Sequence, residues 1–190
     1  PYTQFHMEMR RVYQTGELGE VTYAEGEYNH PMAPRDRVGM SQGMKHWRNW
    51  IPPTYYCSHA LAPLMFVTDE MPVSVNALSI IQETTQSPNT VRVGDTGGIF
   101  LVRTGGGAVF RIFGLSIGSV GRTRYEFHGE RGLLSTAEPD HWSTVRVHHA
   151  DWLRKPGQLC NAVYSPDWPS HADFAGSSGH GGGDFWTMFH

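Results

Sequence analysis

The sequence is poor in the residues that staple, anchor or charge a chain. Only two cysteines occur in 190 residues, Cys57 and Cys160. Two cannot build a disulfide framework, and so few point to a reducing, cytoplasmic setting. Charged residues make up 17% and the net charge is −3, so no basic field is available to attract nucleic acid. No apolar run approaches the roughly 18 residues of a membrane-spanning helix, so no membrane partner is expected. Neither C-x-x-C nor H-E-x-x-H occurs, and the two adjacent histidines, His148 and His149, do not have ligand spacing; no metal site is expected. Ser58 and His59 are sequence neighbours, which does not make a triad, and no hydrolytic nucleophile is expected.

Glycine (22) and aromatic residues (12%) are plentiful, a mix that suits a sheet-rich, loop-rich domain better than a helical bundle. The length fits one domain, residues 1–190. Phe5, Met9, Val12 and Tyr13 follow a helical period and predict a helix over 3–15, ended by Gly16 and Gly19. Residues 20–30 read as a strand with Glu25 and Glu27 on one face, expected to be solvated, and Tyr28 and His30 on the other. Prolines and glycines make 31–46 a loop, with a lid as the alternative to a plain connection. Residues 58–67 form a helix candidate to which Pro63 is the objection. Strands are expected over 72–81, 90–93, 98–103, 108–117, 122–128 and 132–135, with one more at 144–147. Turn signals such as Gly94-Asp95 and Gly105-Gly106-Gly107 separate them, which implies an antiparallel meander. Most of 136–171 is expected to be irregular. A glycine-rich loop over 175–183 leads to Asp184, a fair N-cap for a final helix.

The richest stretch runs from Trp47 to Pro63, WRNWIPPTYYCSHALAP. Pro52 and Pro53 disfavour a regular helix or a central strand there. Loops that carry aromatic and titratable groups on a rigid scaffold are where binding concentrates; half-buried packing is the competing reading. Histidine titrates near neutral pH and tyrosine donates without charge, so Tyr56 and His59, joined by Tyr28 and His30, are candidates for proton transfer. Arg48, Trp47 and Trp50 suit hydroxyl bonding and the stacking of a sugar ring. Cys57 near His59 is a candidate activated thiol, or else inert packing. Gly179 to Asp184 begins like G-x-G-x-x-G but follows no strand and opens no βαβ unit, so it is not a dinucleotide fingerprint.

Taken in order, Gly16-x-x-Gly19-Glu20-Val21-x-Tyr23-Ala24-Glu25-Gly26-Glu27-Tyr28-x-His30, Trp47-Arg48, Tyr56-x-x-His59-x-Leu61-x-Pro63, Pro72-Val73-x-Val75 and His180-Gly-Gly-Gly-Asp184 resemble the C-terminal domain of the glucose-fructose oxidoreductase and inositol dehydrogenase family (Gfo/Idh/MocA). The resemblance covers nearly the whole chain. It implies an α+β fold, an open and largely antiparallel sheet with helices on one face, and homo-oligomer contacts through the open face. It implies an NAD- or NADP-dependent oxidoreductase acting on a sugar, sugar derivative or cyclitol. The cofactor would be held mainly by an N-terminal Rossmann domain absent from this chain, so the isolated chain is expected to be inactive. By the same resemblance Tyr56 and His59 are the catalytic candidates. Tyr28, His30, Arg48, Trp47, His180 and Asp184 would bind substrate, and Cys57, Ser58 and His59 would line the nicotinamide.

The sequence departs from the family pattern at one position. Tyr55 stands where dehydrogenases of the family carry the aspartate of D-x-x-x-H. The run Tyr56-Cys57-Ser58-His59-Ala60-Leu61-Ala62-Pro63 is similar to the Y-P-T-H-x-L-G-P of the family's NAD-dependent glycosidases. Their later P-Y-S-R segment has no counterpart over 118–125. Redox-assisted glycoside cleavage is therefore the second reading, and a non-catalytic assembly domain the third.

Overall fold

The structure, a computed structural model, describes residues 2–33, 39, 45–81, 95–116, 118, 120–137 and 144–169. Helix α1 (Gln4–Gln14) is followed by strand β1 (Val21–Asn29), two 3-10 turns (Trp47–Asn49 and Pro53–Cys57) and helix α2 (Ser58–Thr68). Strands β2 (Pro72–Ile80), β3 (Gly97–Thr104), β4 (Val109–Leu115), β5 (Arg122–Gly129), β6 (Gly132–Thr136), β7 (Val145–His149) and β8 (Asn161–Tyr164) complete an eight-stranded sheet. Its order is β2-β3-β4-β1-β5-β6-β7-β8.

The expected meander is therefore broken at its centre. β1 is inserted between β4 and β5, antiparallel to β5 and parallel to β4. A parallel neighbour needs a long crossover. The chain supplies one, because α2 and the β2–β3 hairpin lie between β1 and β4 in sequence. The other adjacent pairs are antiparallel. The region expected to be irregular holds β8 as well as β7, a four-residue strand too short to show a period. The strand expected at 90–93, most of the loop over 31–46, and the glycine loop with Asp184 lie outside the described residues.

The two described helices α1 and α2 cover one face of the sheet. Phe5, Met9 and Val12 recur at i, i+4 and i+7 on α1, and Ala60, Leu64 and Val67 do so on α2; all are buried. They pack on Ala24, Val102, Phe110, Ile112, Tyr125, Phe127, Leu134 and Val145 in one core. Each such large apolar side chain contributes roughly 1.5–3 kcal/mol by leaving water. Gly16 and Gly19 take the left-handed backbone that ends α1, with φ 72° and 71°. Gly26 has a different task. A Cβ there would lie 2.3 Å from the Ala60 carbonyl oxygen, so only glycine lets α2 rest directly on β1. Pro63 lies inside α2 and does not end it.

On the opposite face, which neither α1 nor α2 covers, Glu25 and Glu27 are paired, which corrects the expectation that they are merely solvated. Glu25 accepts from Arg111 and, at 2.6 Å, from the Tyr23 hydroxyl. Glu27 pairs with Arg122 at 3.3 Å. The reason is register: β1 sits between two strands that each offer an arginine beside a glutamate. Arg111 on Glu25 holds that carboxyl below the ordinary carboxylate range, against a smaller opposing effect of burial.

Candidate functional site

Four of the expected site residues meet at the junction of β1, the two 3-10 turns and α2. The first 3-10 turn starts at His46, whose Nδ1 accepts from the Arg48 backbone N–H at 3.3 Å. That turn sets the Arg48 guanidinium 4.7 Å above the Trp47 ring, a cation–π contact. The second turn begins at Pro53, where a proline's fixed φ is compatible with a helical start. It brings Tyr56 round so that Arg48 Nη1 donates to its hydroxyl. One residue into α2, the His59 ring lies 5.7 Å from Tyr56 and 4.7 Å from Tyr28, centroid to centroid. Ser58 Oγ is 3.4 Å from His59 Nδ1. His30 is exposed beside Tyr28, with their rings 5.8 Å apart. Ser58 and His59 are exposed, whereas Tyr28, Arg48 and Tyr56 are half-buried. Close by in sequence, Trp47, Trp50 and Tyr55 are exposed at 53%, 65% and 67%. His180 and Asp184 lie outside the described residues.

The Cys57 thiol is not an activated nucleophile. It is buried, and a Cβ at Gly114 would lie 3.0 Å from its sulfur. Burial, with the charge of Asp95 adding to it, pushes the thiol up to about 11, so it stays protonated at neutral pH. Of the residues expected to line a cofactor, Cys57 therefore turns its side chain into the core while Ser58 and His59 remain open. His149 serves the fold. Its Nδ1 is 2.9 Å from the Leu159 carbonyl and its Nε2 is 2.6 Å from Glu17, two acceptors that tie the β7–β8 loop to the α1–β1 turn. Gly114-Leu115-Ser116-Ile117-Gly118 spells G-x-S-x-G, but it leads from β4 to β5 rather than into a helix, and Ser116 Oγ donates to the Thr96 carbonyl at 3.0 Å. Among the described residues no cluster of metal-ligating side chains is present. No described helix is long and apolar enough to cross a membrane. Among the described residues, a concavity of about 260 Å³ beside His149 and another of about 890 Å³ along α1 are lined by none of the candidate site residues.

Two supporting residues escaped the sequence reading. Asp95 accepts from the Thr54 backbone N–H at 3.1 Å and from the Thr54 hydroxyl at 2.8 Å, anchoring the turn that carries Tyr56. In sequence it registers only as half of a Gly-Asp turn. Tyr125, on β5, donates to the His59 backbone carbonyl at 2.8 Å. Pro63 is the signal that could have found it. A proline four residues on cannot offer His59 the usual helical N–H, so a donor from elsewhere is called for.

A model described as the GFO/IDH/MocA C-terminal domain matches residues 6–135. Among solved structures, an inositol dehydrogenase homolog from Azotobacter vinelandii, complexed with NADH and myo-inositol, superposes with TM-score 0.58 at 19% identity, over 85% of this chain and 39% of its own. A levoglucosan dehydrogenase in complex with NADH and levoglucosan gives 0.63 at 14% identity, over 83% and 43%. A UDP-N-acetylglucosamine 3-dehydrogenase from Acidithiobacillus ferrooxidans gives 0.54 at 15% identity, over 84% and 46%. A search of curated proteins finds no match. The chain thus spans less than half the length of these three structures, and at such identities they establish the fold, an open mixed sheet carrying helices. With more than half of its residues matched by the family model, the chain belongs to the GFO/IDH/MocA C-terminal domain family.

Proposed function

We propose that this chain is the substrate-binding half of an NAD- or NADP-dependent oxidoreductase that acts on a hydroxyl of a sugar, sugar derivative or cyclitol. The observation that carries the reading is the meeting of Tyr28, Arg48, Tyr56 and His59 at one exposed junction, residues that lie up to 31 positions apart in sequence. A packing cluster has no need of an exposed imidazole beside a tyrosine hydroxyl held by an arginine. The dehydrogenase structures to which the fold is similar contain NADH with myo-inositol or levoglucosan, which favours the same substrate class.

The exposed first turn of α2, Ser58 and His59, fits a nicotinamide edge, and the inward-facing Cys57 would offer main chain only. Nicotinamide, which a Rossmann domain would hold in the main, would supply the hydride acceptor. The chain's own residues do the rest. Trp47 and Tyr28 cover a sugar ring, Arg48 and His30 bond its hydroxyls, and Tyr56 and His59 take the proton of the hydroxyl being oxidised. His180 and Asp184 belong to the same substrate-binding proposal. Both cysteines are free thiols, in keeping with a cytoplasmic protein. A homo-oligomer through the face that α1 and α2 leave uncovered is consistent with exposed Leu78, Ile99 and Leu101 on the same face as the paired charges of β1.

Oxidation-assisted glycoside cleavage is the second reading, favoured by Tyr55 in place of a carboxylate four residues before His59. The test is to incubate the full-length protein with NAD or NADP and a panel of free sugars, cyclitols and aryl glycosides, following NADH absorbance and aglycone release. Net NADH from a free sugar or cyclitol is the expected result. Aglycone release without net NADH selects the second reading. Neither signal leaves a non-catalytic assembly domain.

A further inference from the structure

We propose that Tyr125 is a positioning residue for His59, and that Pro63 creates the need for it. This rests on the reading of His59 as a site residue. In an α-helix the carbonyl of residue i accepts from the N–H of residue i+4. For His59 that residue is Pro63, which has no N–H and whose ring crowds the same carbonyl. The helix therefore cannot hold the His59 peptide in the ordinary way, one residue from where the chain enters α2. The Tyr125 hydroxyl takes over, donating to the His59 oxygen at 2.8 Å.

The donor is rigid. Tyr125 is 2% exposed, and its ring lies 4.7 Å from that of His6, edge-on, and 6.1 Å from that of Phe5, both on α1. Its position on β5 is directly opposite Gly26 on β1. Gly26 is the residue whose missing side chain lets Ala60 approach the sheet. Strand register, glycine and tyrosine thus act on adjacent residues of α2. Gly26 sets the height of Ala60 over the sheet, and Tyr125 fixes the peptide of His59. Together they hold the imidazole beside Tyr28 and Tyr56. Losing this donor would remove one of the bonds that fix the His59 peptide, and catalytic groups misplaced by about 1 Å lose on the order of a hundredfold in rate.

The test is a two-by-two comparison in the full-length enzyme: wild type, Tyr125→Phe, Pro63→Ala, and both together. Tyr125→Phe removes one oxygen and keeps the ring in its packing. Pro63→Ala restores the helical donor. The expected result is a fall in kcat of about tenfold to a hundredfold for Tyr125→Phe with KM within about twofold. A shifted His59 imidazole resonance in the NMR spectrum should accompany it. In the Pro63→Ala background the same Tyr125→Phe change should cost less than about threefold and leave the resonance in place. A loss that merely reflected weaker packing would be the same in both backgrounds, and that result overturns the proposal. So does a Tyr125→Phe variant with an unmoved His59 resonance. If Tyr125→Phe alone does not fold while the double variant does, the rescue supports the proposal. If His59→Ala retains full turnover while the resonance still responds to Tyr125→Phe only in the Pro63 background, the catalytic reading of His59 falls and the positioning of its ring stands.

Discussion

Replacing Gly26 by alanine adds one methyl group at the point where α2 touches the sheet. Its Cβ would stand 2.3 Å from the Ala60 carbonyl oxygen, 3.0 Å from the carbonyl carbon and 3.4 Å from Cα. The first distance is about 1 Å short of an ordinary contact. The clashing atoms are backbone, so no side-chain rotation relieves it, and α2 must lift or β1 must bend. Overpacking of this kind costs about 1–3 kcal/mol. Alanine also stiffens the unfolded chain, which returns about 0.4–1 kcal/mol. The net expectation is a loss of about 1–2 kcal/mol, read as a lower urea midpoint with an unchanged slope. Gly105→Ala is the control, because its Cβ would meet only Val73 Cγ1 at 3.8 Å and the Met71 oxygen at 3.9 Å. It should change stability by less than about 0.5 kcal/mol. Equal stabilities for Gly26→Ala and wild type would refute the claim that α2 is seated on a glycine.

Asp95→Ala removes both acceptors of Thr54. It should cost about 1–3 kcal/mol in denaturant unfolding and, on the proposed function, raise KM in the full-length protein, since the turn bearing Tyr56 loses its anchor. The buried, protonated Cys57 thiol should react with a disulfide reagent at neutral pH only as fast as the chain unfolds; labelling faster than unfolding would contradict its placement. Glu25, with its folded-state value depressed by Arg111, contributes stability that is full above about pH 4.3 and is lost as pH falls through the lower folded value. Glu25→Gln should therefore flatten the acid limb of stability against pH, and an unchanged limb would count against the pairing.

The parts of the fold legible in the sequence are those that local pattern dictates. Phe5, Met9 and Val12 mark the buried stripe of α1 because a helix repeats every 3.6 residues, and Gly16 and Gly19 end it because they alone take positive φ cheaply. The central place of β1 was not legible. Strand alternation fixes which residues share a face but carries nothing about which strand lies alongside, and the parallel β1–β4 pair is set by the long crossover. The same limit explains the site. Tyr56 and His59 lie three residues apart in a conspicuous aromatic stretch, and Tyr28 stands near the end of an obvious strand. Asp95 and Tyr125 act on that stretch from 41 and 66 residues away, through contacts that exist only after the sheet has formed. Pro63 was readable as an obstacle to a helix. That a tyrosine hydroxyl would answer it was not.

On the proposed function His59, held beside Tyr28 and Tyr56, serves the oxidation of a carbohydrate hydroxyl. The most direct measurement is the rate of NADH formation by the full-length protein from the best free sugar or cyclitol, wild type against His59→Ala, with folding checked by circular dichroism. His59→Ala should lower kcat by at least about a hundredfold, the contribution of a positioned acid–base group. A folded His59→Ala variant that makes NADH at the wild-type rate would contradict it.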